Sequence, residues 1–150
     1  MLAAVDEEKD PRNLLITYDL IYMILKRYSV AIGPFVDEIF DKISCYFPIN
    51  FTPPKNDKHM ITPTLLKGKL ARCFTASNLL AKQAIPFILD KMSATQVETK
   101  IECMELLQAM FSQDGGYEWA SLEKHVAPAV SLMIAEYFNS PEEGCQRKIA

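Results

Sequence analysis

The residue patterns that mark common enzyme classes are scarce in this sequence. Its 150 residues include only five glycines, two histidines and one tryptophan. There is no glycine-rich phosphate loop, and neither H-E-x-x-H nor G-x-S-x-G occurs, so the signatures of nucleotide hydrolases, zinc proteases and serine hydrolases are absent. One acidic cluster, Asp37, Glu38 and Asp41, is followed by Lys42 and is typical of a solvated helix face. We therefore predict no catalytic residue, no cofactor-binding residue and no enzymatic activity.

Metal sites lack their usual sequence pattern as well. The four cysteines, Cys45, Cys73, Cys103 and Cys145, are far apart and form no C-x-x-C pair. Zinc and iron–sulfur sites draw ligands in close pairs, because one turn or loop must present two of them to the same ion. Widely spaced cysteines instead favour reduced, buried thiols. We predict no metal site within the chain.

Charge and hydropathy argue against nucleic acid and membrane as partners. Sixteen basic and nineteen acidic side chains leave a formal charge of −3, whereas nucleic-acid binders carry a basic excess. The longest apolar stretch, 14–25, contains Asp19 and is roughly half as long as a transmembrane helix. Acidic residues also occupy the positions where a signal peptide would be basic. We expect an intracellular protein that binds no nucleic acid, membrane or small-molecule substrate.

Helix start signals recur along the chain. Asp10-Pro11 and Thr62-Pro63 each place a capping residue before a proline at the first helical position, where its missing N–H costs nothing. Ser93 with Gln96 matches a capping box. Ser140-Pro141, with Glu143, repeats the cap-and-proline pattern. These signals predict helices that start near residues 11, 63, 94 and 141.

The helix predicted over 94–112 has the clearest amphipathic pattern. Apolar residues recur every three or four positions, with Ile101 at the centre, so we expect this stripe to face the core. Its members are Val97, Ile101, Met104, Leu107 and Phe111. The solvent face is expected to carry Glu98, Glu102, Glu105 and Gln108.

Three further helices each carry a proline among apolar neighbours, at Pro34, Pro86 and Pro128. Proline inside a helix usually kinks it, and a kink that recurs in every second helix indicates a repeat. Helical hairpins with a period of ~40–50 residues are typical of HEAT and armadillo repeats. We predict an all-α fold, an α-solenoid of HEAT- or armadillo-like hairpins. The predicted parts are hairpin one (11–45), a loop (46–61), hairpin two (63–92), hairpin three (94–138) and the start of a fourth helix pair (141–150).

The helix over 11–28 is apolar nearly all round, although a terminal repeat needs a polar outer face. The helix that starts at 141 has a complete start signal but only ten residues. We therefore expect a single HEAT-repeat segment taken from a longer solenoid.

The loop between the first two hairpins reads SCYFPINFTPPKND at residues 44–57. Prolines push the preceding residues towards extended conformations and stiffen the chain. One interpretation is a structural strap, anchored on the hairpin ends by its aromatic residues. The alternative is an element that contacts a partner protein. Its candidate contact residues are Tyr46, Phe47, Phe51, Pro53, Pro54, Asn56 and Asp57.

Three stretches, EKDPRNLL (8–15), GPFVDEIFDKISCYFPINFTPP (33–54) and ND (56–57), resemble the amino-terminal region of the MMS-nineteen family. These proteins are HEAT-repeat scaffolds of the cytosolic iron–sulfur protein assembly targeting complex, also described as nucleotide excision repair and transcription proteins. Beyond residue 61 the resemblance continues in scattered identities such as PFILDKMS (86–93). The family has proline at the place of Lys58 and glycine at that of Met60. Methionine accepts a positive φ poorly, so this end of the loop departs from the pattern.

The resemblance implies a non-catalytic adaptor in the cytoplasm and nucleus. Its partners would be components of the iron–sulfur assembly targeting complex and apo iron–sulfur client enzymes of genome maintenance. The family contacts the assembly machinery mainly through its carboxyl-terminal region, so this segment would supply scaffold length and client contacts. A generic HEAT-repeat interaction module in a transport or chromatin-regulating assembly is the alternative.

Overall fold

The computed structural model describes residues 8–53, 60–93, 96–112 and 116–139. Its α-helices are α1 (Pro11–Arg27), α2 (Ser29–Ile32), α3 (Val36–Ser44), α4 (Pro63–Phe74), α5 (Ala81–Lys91), α6 (Val97–Phe111) and α7 (Trp119–Asn139). No strand occurs within these described ranges. The all-α prediction is confirmed and is consistent with a solenoid of helical hairpins. The repeat arrangement itself stays a prediction. Within the same ranges, no helix combines the length and the hydropathy that a bilayer-spanning segment needs.

The chain divides into two compact units, Met1–Leu79 and Leu80–Ala150. The first unit holds α1 to α4, and the second holds α5 to α7. The boundary falls inside the predicted second hairpin (63–92), which places its two helices in different units. Organisation as a single repeat segment stays a prediction.

Two of the predicted helix starts are confirmed in atomic detail. The Asp10 carboxylate accepts a hydrogen bond from the Arg12 N–H at 2.9 Å at the start of α1. At the start of α4, the Thr62 hydroxyl accepts from the Leu65 N–H at 3.1 Å. Each bond satisfies an N–H that has no partner within the helix, so these starts are decided locally. The start predicted at Ser140 lies outside the described residues.

The capping box predicted at Ser93 is wrong. Helix α6 begins at Val97, and its N-cap is Gln96, whose side chain makes no capping bond. The Ser93 N–H instead donates to the Asp90 carbonyl at 3.1 Å, which closes the turn after α5. That bond uses the backbone N–H, which any residue except proline supplies, so Ser93 belongs to the turn that ends α5, and α6 begins three residues later than the capping box predicted.

The core of the first unit lies between α1 and α4, with α3 also packed against α4. Helix α1 buries one face, consisting of Leu14, Tyr18, Ile21 and Leu25. Helix α4 meets it with Leu66, Leu70, Cys73 and Phe74. Both sets recur every three or four residues, apart from the adjacent Cys73 and Phe74, so each helix turns one continuous face inward.

In the second unit, α5 packs against both α6 and α7, and the orientation of α6 differs from the predicted one. Its buried side chains are Thr99, Glu102, Cys103, Met104, Leu106, Leu107 and Met110. Val97, Ile101 and Phe111 are only half-buried, and Glu102, expected in solvent, is buried. Met104 and Leu107 of the predicted stripe are buried as expected, but the helix is rotated so that Cys103 and Leu107 lie at the centre of the buried face, which also includes Leu106 and Met110. Burial of a carboxylate requires a compensating interaction, and Glu102 has one.

Pro86 and Pro128 lie inside α5 and α7, which continue through them. Pro34 lies in a short 3-10 turn, Gly33–Phe35, that leads into α3. Proline deprives the carbonyl four residues earlier of its helical N–H partner. Those residues, Lys82 and Lys124, are exposed, as are both prolines. Water can therefore satisfy the freed carbonyls, which explains why neither proline ends its helix.

Candidate protein-interaction site

The proline-rich segment that follows α3 starts with a tight turn. We call residues 46–53 the strap. The N–H groups of Tyr46 and Phe47 donate to the carbonyls of Ile43 and Ser44 at 3.3 and 3.1 Å, and the Phe47–Pro48 peptide bond is cis. These hydrogen bonds turn the chain out of α3 and place the first two aromatic residues of the strap against the helices.

The first of these aromatic contacts builds a cluster on α4. The Phe47 side chain is 6% exposed, and its ring lies 6.1 Å from that of Phe74 at an interplanar angle of 83°. Phe40 of α3 meets the same ring at 6.2 Å and 74°. Edge-to-face pairs of this kind stabilise a fold beyond their buried area. Phe47 is therefore a core residue, as the strap interpretation requires, and its ring does not face solvent for a partner.

Tyr46 and Phe51 lie at the margin of the core. The Tyr46 ring is edge-on to Tyr18 of α1 at 6.0 Å, and Tyr46 and Phe51 are both half-buried. Pro53 is exposed. The other candidate contact residues, Pro54, Asn56 and Asp57, lie outside the described residues.

A small pocket separates the strap from the start of α1. Its volume is about 140 Å³, below the ~300–1,000 Å³ of drug-sized ligand sites. The described residues that line it are mostly apolar: Lys9, Pro11, Leu14, Tyr18, Tyr46, Ile49, Asn50, Phe51 and Leu66. A space of this size suits one side chain of a partner better than a cofactor. Tyr46 and Phe51, two of the predicted contact residues, both line this pocket.

The polar groups around this pocket can form hydrogen bonds. Lys9 and Asn50 are exposed. The buried Tyr18 hydroxyl has no hydrogen-bond partner within the described part of the chain. Burial holds the pKa of Tyr18 above its usual range, so the hydroxyl stays protonated. Among the described lining residues there is no carboxylate, histidine or thiol that could act as a general base or nucleophile.

Charged contacts join α1 to α4 at the surface. The Lys69 ammonium lies 2.6 and 2.7 Å from the two Asp19 carboxylate oxygens, and the Arg72 guanidinium lies 4.2 Å from the centre of the Tyr22 ring. Both contacts are partly solvated, so each contributes on the order of 1 kcal/mol or less. Their role is to hold the two helices in register.

Two of the cysteines are poor candidates for metal ligands. Burial raises the pKa of both Cys73 and Cys103 to about 12, which disfavours the thiolate that binds metals. The Cys73 thiol donates to the Tyr18 carbonyl at 3.1 Å. Cys45 is exposed, and Cys145 lies outside the described residues. Within the described ranges, no three histidine, cysteine or acidic residues are grouped to hold an ion.

We expect iodoacetamide to distinguish these thiols. In the native chain at pH 8, Cys45 should be alkylated, because its thiol is exposed, while Cys73 and Cys103 stay unmodified, because they are buried and protonated. Peptide mass spectrometry after a timed reaction measures each site. Prior unfolding in guanidinium should make Cys73 and Cys103 react as fast as Cys45. Rapid native alkylation of Cys73 would contradict its placement between α1 and α4.

Met60 adopts a backbone φ of 48°. This left-handed conformation costs a side-chain-bearing residue about 1–2 kcal/mol. The side chain is 82% exposed, so its removal sacrifices little burial. We expect Met60→Gly to raise the free energy of unfolding by roughly 0.5–1 kcal/mol, the relief of strain being partly offset by the freedom of glycine in the unfolded chain. Urea unfolding measures the change.

Met60→Ala is the matched control, since alanine shortens the side chain but keeps the Cβ that causes the strain. It should be no more stable than the parent. If the alanine and glycine variants unfold at the same urea concentration, relief of backbone strain at residue 60 is not the cause of any stabilisation.

The chain is similar over most of its length to known proteins. The family model described as "Dos2-interacting transcription regulator of RNA-Pol-II" matches residues 1–139. A protein of Dictyostelium discoideum named MMS19 nucleotide excision repair protein homolog is 39% identical over 140 residues, which cover 93% of this chain and 12% of that protein. The Homo sapiens protein of the same name is 33% identical over 141 residues, covering 89% of this chain and 14% of its own length.

The Danio rerio protein of that name is 40% identical over 106 residues, or 71% of this chain and 10% of the relative. The chain thus spans 10–14% of the length of these three relatives. The match nevertheless runs through α1, the strap and all the helices up to α7. The resemblance carried by EKDPRNLL and the strap is confirmed, and the chain belongs to the MMS19 family.

Proposed function

We propose that this chain is a non-catalytic scaffold segment of the cytosolic iron–sulfur protein assembly targeting complex. In this role it helps to deliver clusters to apo-proteins of DNA repair, replication and transcription. Membership of the MMS19 family over residues 1–139 carries the proposal, because relatives of that family are named for nucleotide excision repair. A delivery scaffold works in the cytoplasm, where clusters are assembled, and in the nucleus, where repair enzymes act.

The surface of the described residues supports contacts with proteins. Helix α7 exposes Val130, Ile134 and Phe138, which are spaced by four residues and share one face of the helix. Exposed apolar stripes of this kind mark association sites. Helices α3, α5 and α7 also carry exposed acidic residues, such as Asp37, Asp90 and Glu123, which disfavour binding of nucleic acid along them.

The strap is the proposed client contact. Phe47 anchors it to the core, so the described residues left for a partner are Tyr46 and Phe51 at the pocket wall and the exposed Pro53. A stiff, pre-ordered strap loses little entropy when a partner binds. The small pocket beside it can take one apolar side chain of the client.

Affinity purification of the tagged full-length parent, followed by mass spectrometry, tests the function. Recovery of iron–sulfur assembly components together with iron–sulfur enzymes of genome maintenance would support it. Recovery of importins, tubulin or chromatin proteins in their place would favour the alternative, a generic interaction module in a transport or chromatin-regulating assembly.

A strap variant tests the client contact separately. We expect the double variant Phe51→Ser/Pro53→Ser in the parent to reduce recovery of clients and leave recovery of the assembly components unchanged. Leu79→Ser, another partly exposed apolar position, is the matched control and should change neither. Equal loss of clients in the two variants would exclude the strap as the contact.

A further inference from the structure

A serine or threonine stands directly before a proline three times in the sequence, at Thr52, Thr62 and Ser140. Proline-directed serine/threonine kinases select this pair of residues, and many of them prefer a basic residue three positions after the hydroxyl residue. Thr52 has such a residue, Lys55, whereas a leucine and a glutamate occupy the corresponding positions after Thr62 and Ser140. Ser140 lies outside the described residues, so the structure compares the two threonines.

The conformation around Thr52 suits a kinase substrate. Thr52 and Pro53 are exposed and belong to neither a helix nor a strand, and the Thr52 hydroxyl forms no hydrogen bond within the described part of the chain. A proline disfavours the helical conformation for the residue before it and favours an extended one, the form in which kinases bind their substrates. The strap is attached to the first unit through Phe47 and Phe51, so these contacts do not occupy Thr52.

Thr62 is exposed as well, but its hydroxyl is already used. It accepts a hydrogen bond from the Leu65 N–H at 3.1 Å, and Pro63 is the first residue of α4. A kinase that binds residues 62–65 in an extended form must break this cap and unwind the first turn of the helix. The two threonines therefore differ in local conformation and not in exposure.

We propose that Thr52 is a phosphorylation site for proline-directed kinases and that folding protects Thr62 from them. In the reaction, the Thr52 Oγ forms a bond to the γ-phosphorus of magnesium-bound ATP. The bond from that phosphorus to the bridging oxygen of the β-phosphate breaks, and ADP leaves. The hydroxyl proton passes to the catalytic aspartate of the kinase.

Phosphorylation would change the charge of the strap. None of residues 46–53 is charged at neutral pH, and a phosphate adds about −1.5 to −2 charges there. The new charge would stand one residue after Phe51, which lines the pocket. The site depends only on the sequence and conformation around Thr52, so the proposal holds whether or not the strap contacts a client.

Phosphorylation in vitro tests the site in the folded protein. The tagged full-length parent is incubated with a purified cyclin-dependent kinase, which is proline-directed, and with magnesium and ATP. Peptide mass spectrometry follows the phosphorylated fraction of each threonine over time. Synthetic peptides of residues 46–58 and 56–68 serve as unfolded references, so that each threonine is compared with its own sequence context.

The ratio of the two rates separates conformation from sequence. Thr52 should react in the parent within about threefold of its rate in the peptide, because no local structure has to open. Thr62 should react at least about tenfold more slowly in the parent than in its peptide, because the start of α4 must first unwind.

Two variants of the parent locate the recognition. Pro53→Ala should abolish phosphorylation of Thr52, because it removes the residue that the kinase selects. Pro54→Ala removes the next proline, which is not at the selected position, and is the matched control. It should leave the rate at Thr52 within about threefold of that in the unsubstituted parent.

Three results would overturn the proposal. One is a parent in which Thr52 stays unmodified while its peptide is phosphorylated, which would mean that the longer protein covers the strap. Another is a Thr62 that reacts as fast in the parent as in its peptide, since the helix cap would then give no protection. The third is phosphorylation of Thr52 that persists in Pro53→Ala, which would show that the proline does not direct the kinase.

Discussion

Replacement of Leu107 by aspartate should unfold the second unit. The Leu107 side chain is fully buried at the centre of the inner face of α6. The substitution removes a core side chain, which costs about 2–5 kcal/mol, and adds a buried charge without a partner. The sum approaches the free energy of unfolding of a whole domain, which is ~5–15 kcal/mol. Circular dichroism should show loss of helix at 25 °C or a large fall in melting temperature.

Ile101→Asp is the comparison that tests the orientation of α6. Ile101 is half-buried, so a carboxylate at this position can reach water by a change of rotamer. We expect it to cost distinctly less than Leu107→Asp. The opposite order would mean that α6 faces the core with the stripe predicted from the sequence, centred on Ile101.

Truncation of Phe74 to alanine should destabilise the first unit by about 3–5 kcal/mol, the usual cost for a buried phenylalanine. Its ring is fully buried and is the one that both Phe40 and Phe47 contact edge-on. Its loss leaves a cavity and also removes the anchor of the strap. We expect urea unfolding to report the loss of stability, and limited proteolysis to cut within 46–53 faster than in the parent.

Phe51→Ala is the control for the faster proteolysis of the strap. Phe51 belongs to the strap but is only half-buried, so its truncation should cost far less stability. If Phe51→Ala accelerated proteolysis of the strap as much as Phe74→Ala, the strap would be held through its pocket face and not through Phe47.

The strap illustrates what could be predicted about the candidate site. Its stiffness followed from the prolines of the printed sequence, because proline restricts the backbone locally. The sequence did not show which aromatic residue is anchored and which is left at the surface. Phe47 and Phe51 are chemically identical, and the turn after α3 together with the position of Phe74 on α4 makes Phe47 the buried one.

The helix starts also show which features the sequence predicts and which it does not. Asp10 and Thr62 were predicted correctly because a capping side chain bonds to a backbone N–H two or three residues away, an interaction that needs no tertiary contact. The start predicted at Ser93 is wrong because α6 begins only at Val97, while the Ser93 N–H donates to Asp90 in the turn after α5.

The sequence by itself determined that this chain is helical, where α1 and α4 begin and to which family it belongs, since these depend on local bonding and on residue identity. Tertiary structure decided which faces of the helices are inside. Helix α1 is apolar on both faces, and a hydrophobic pattern carries no information about which one a neighbour will cover. Packing against α4 selects Leu14, Tyr18, Ile21 and Leu25 for the core. It leaves Ile16, Leu20 and Met23 in solvent because one helix can cover only one side of another.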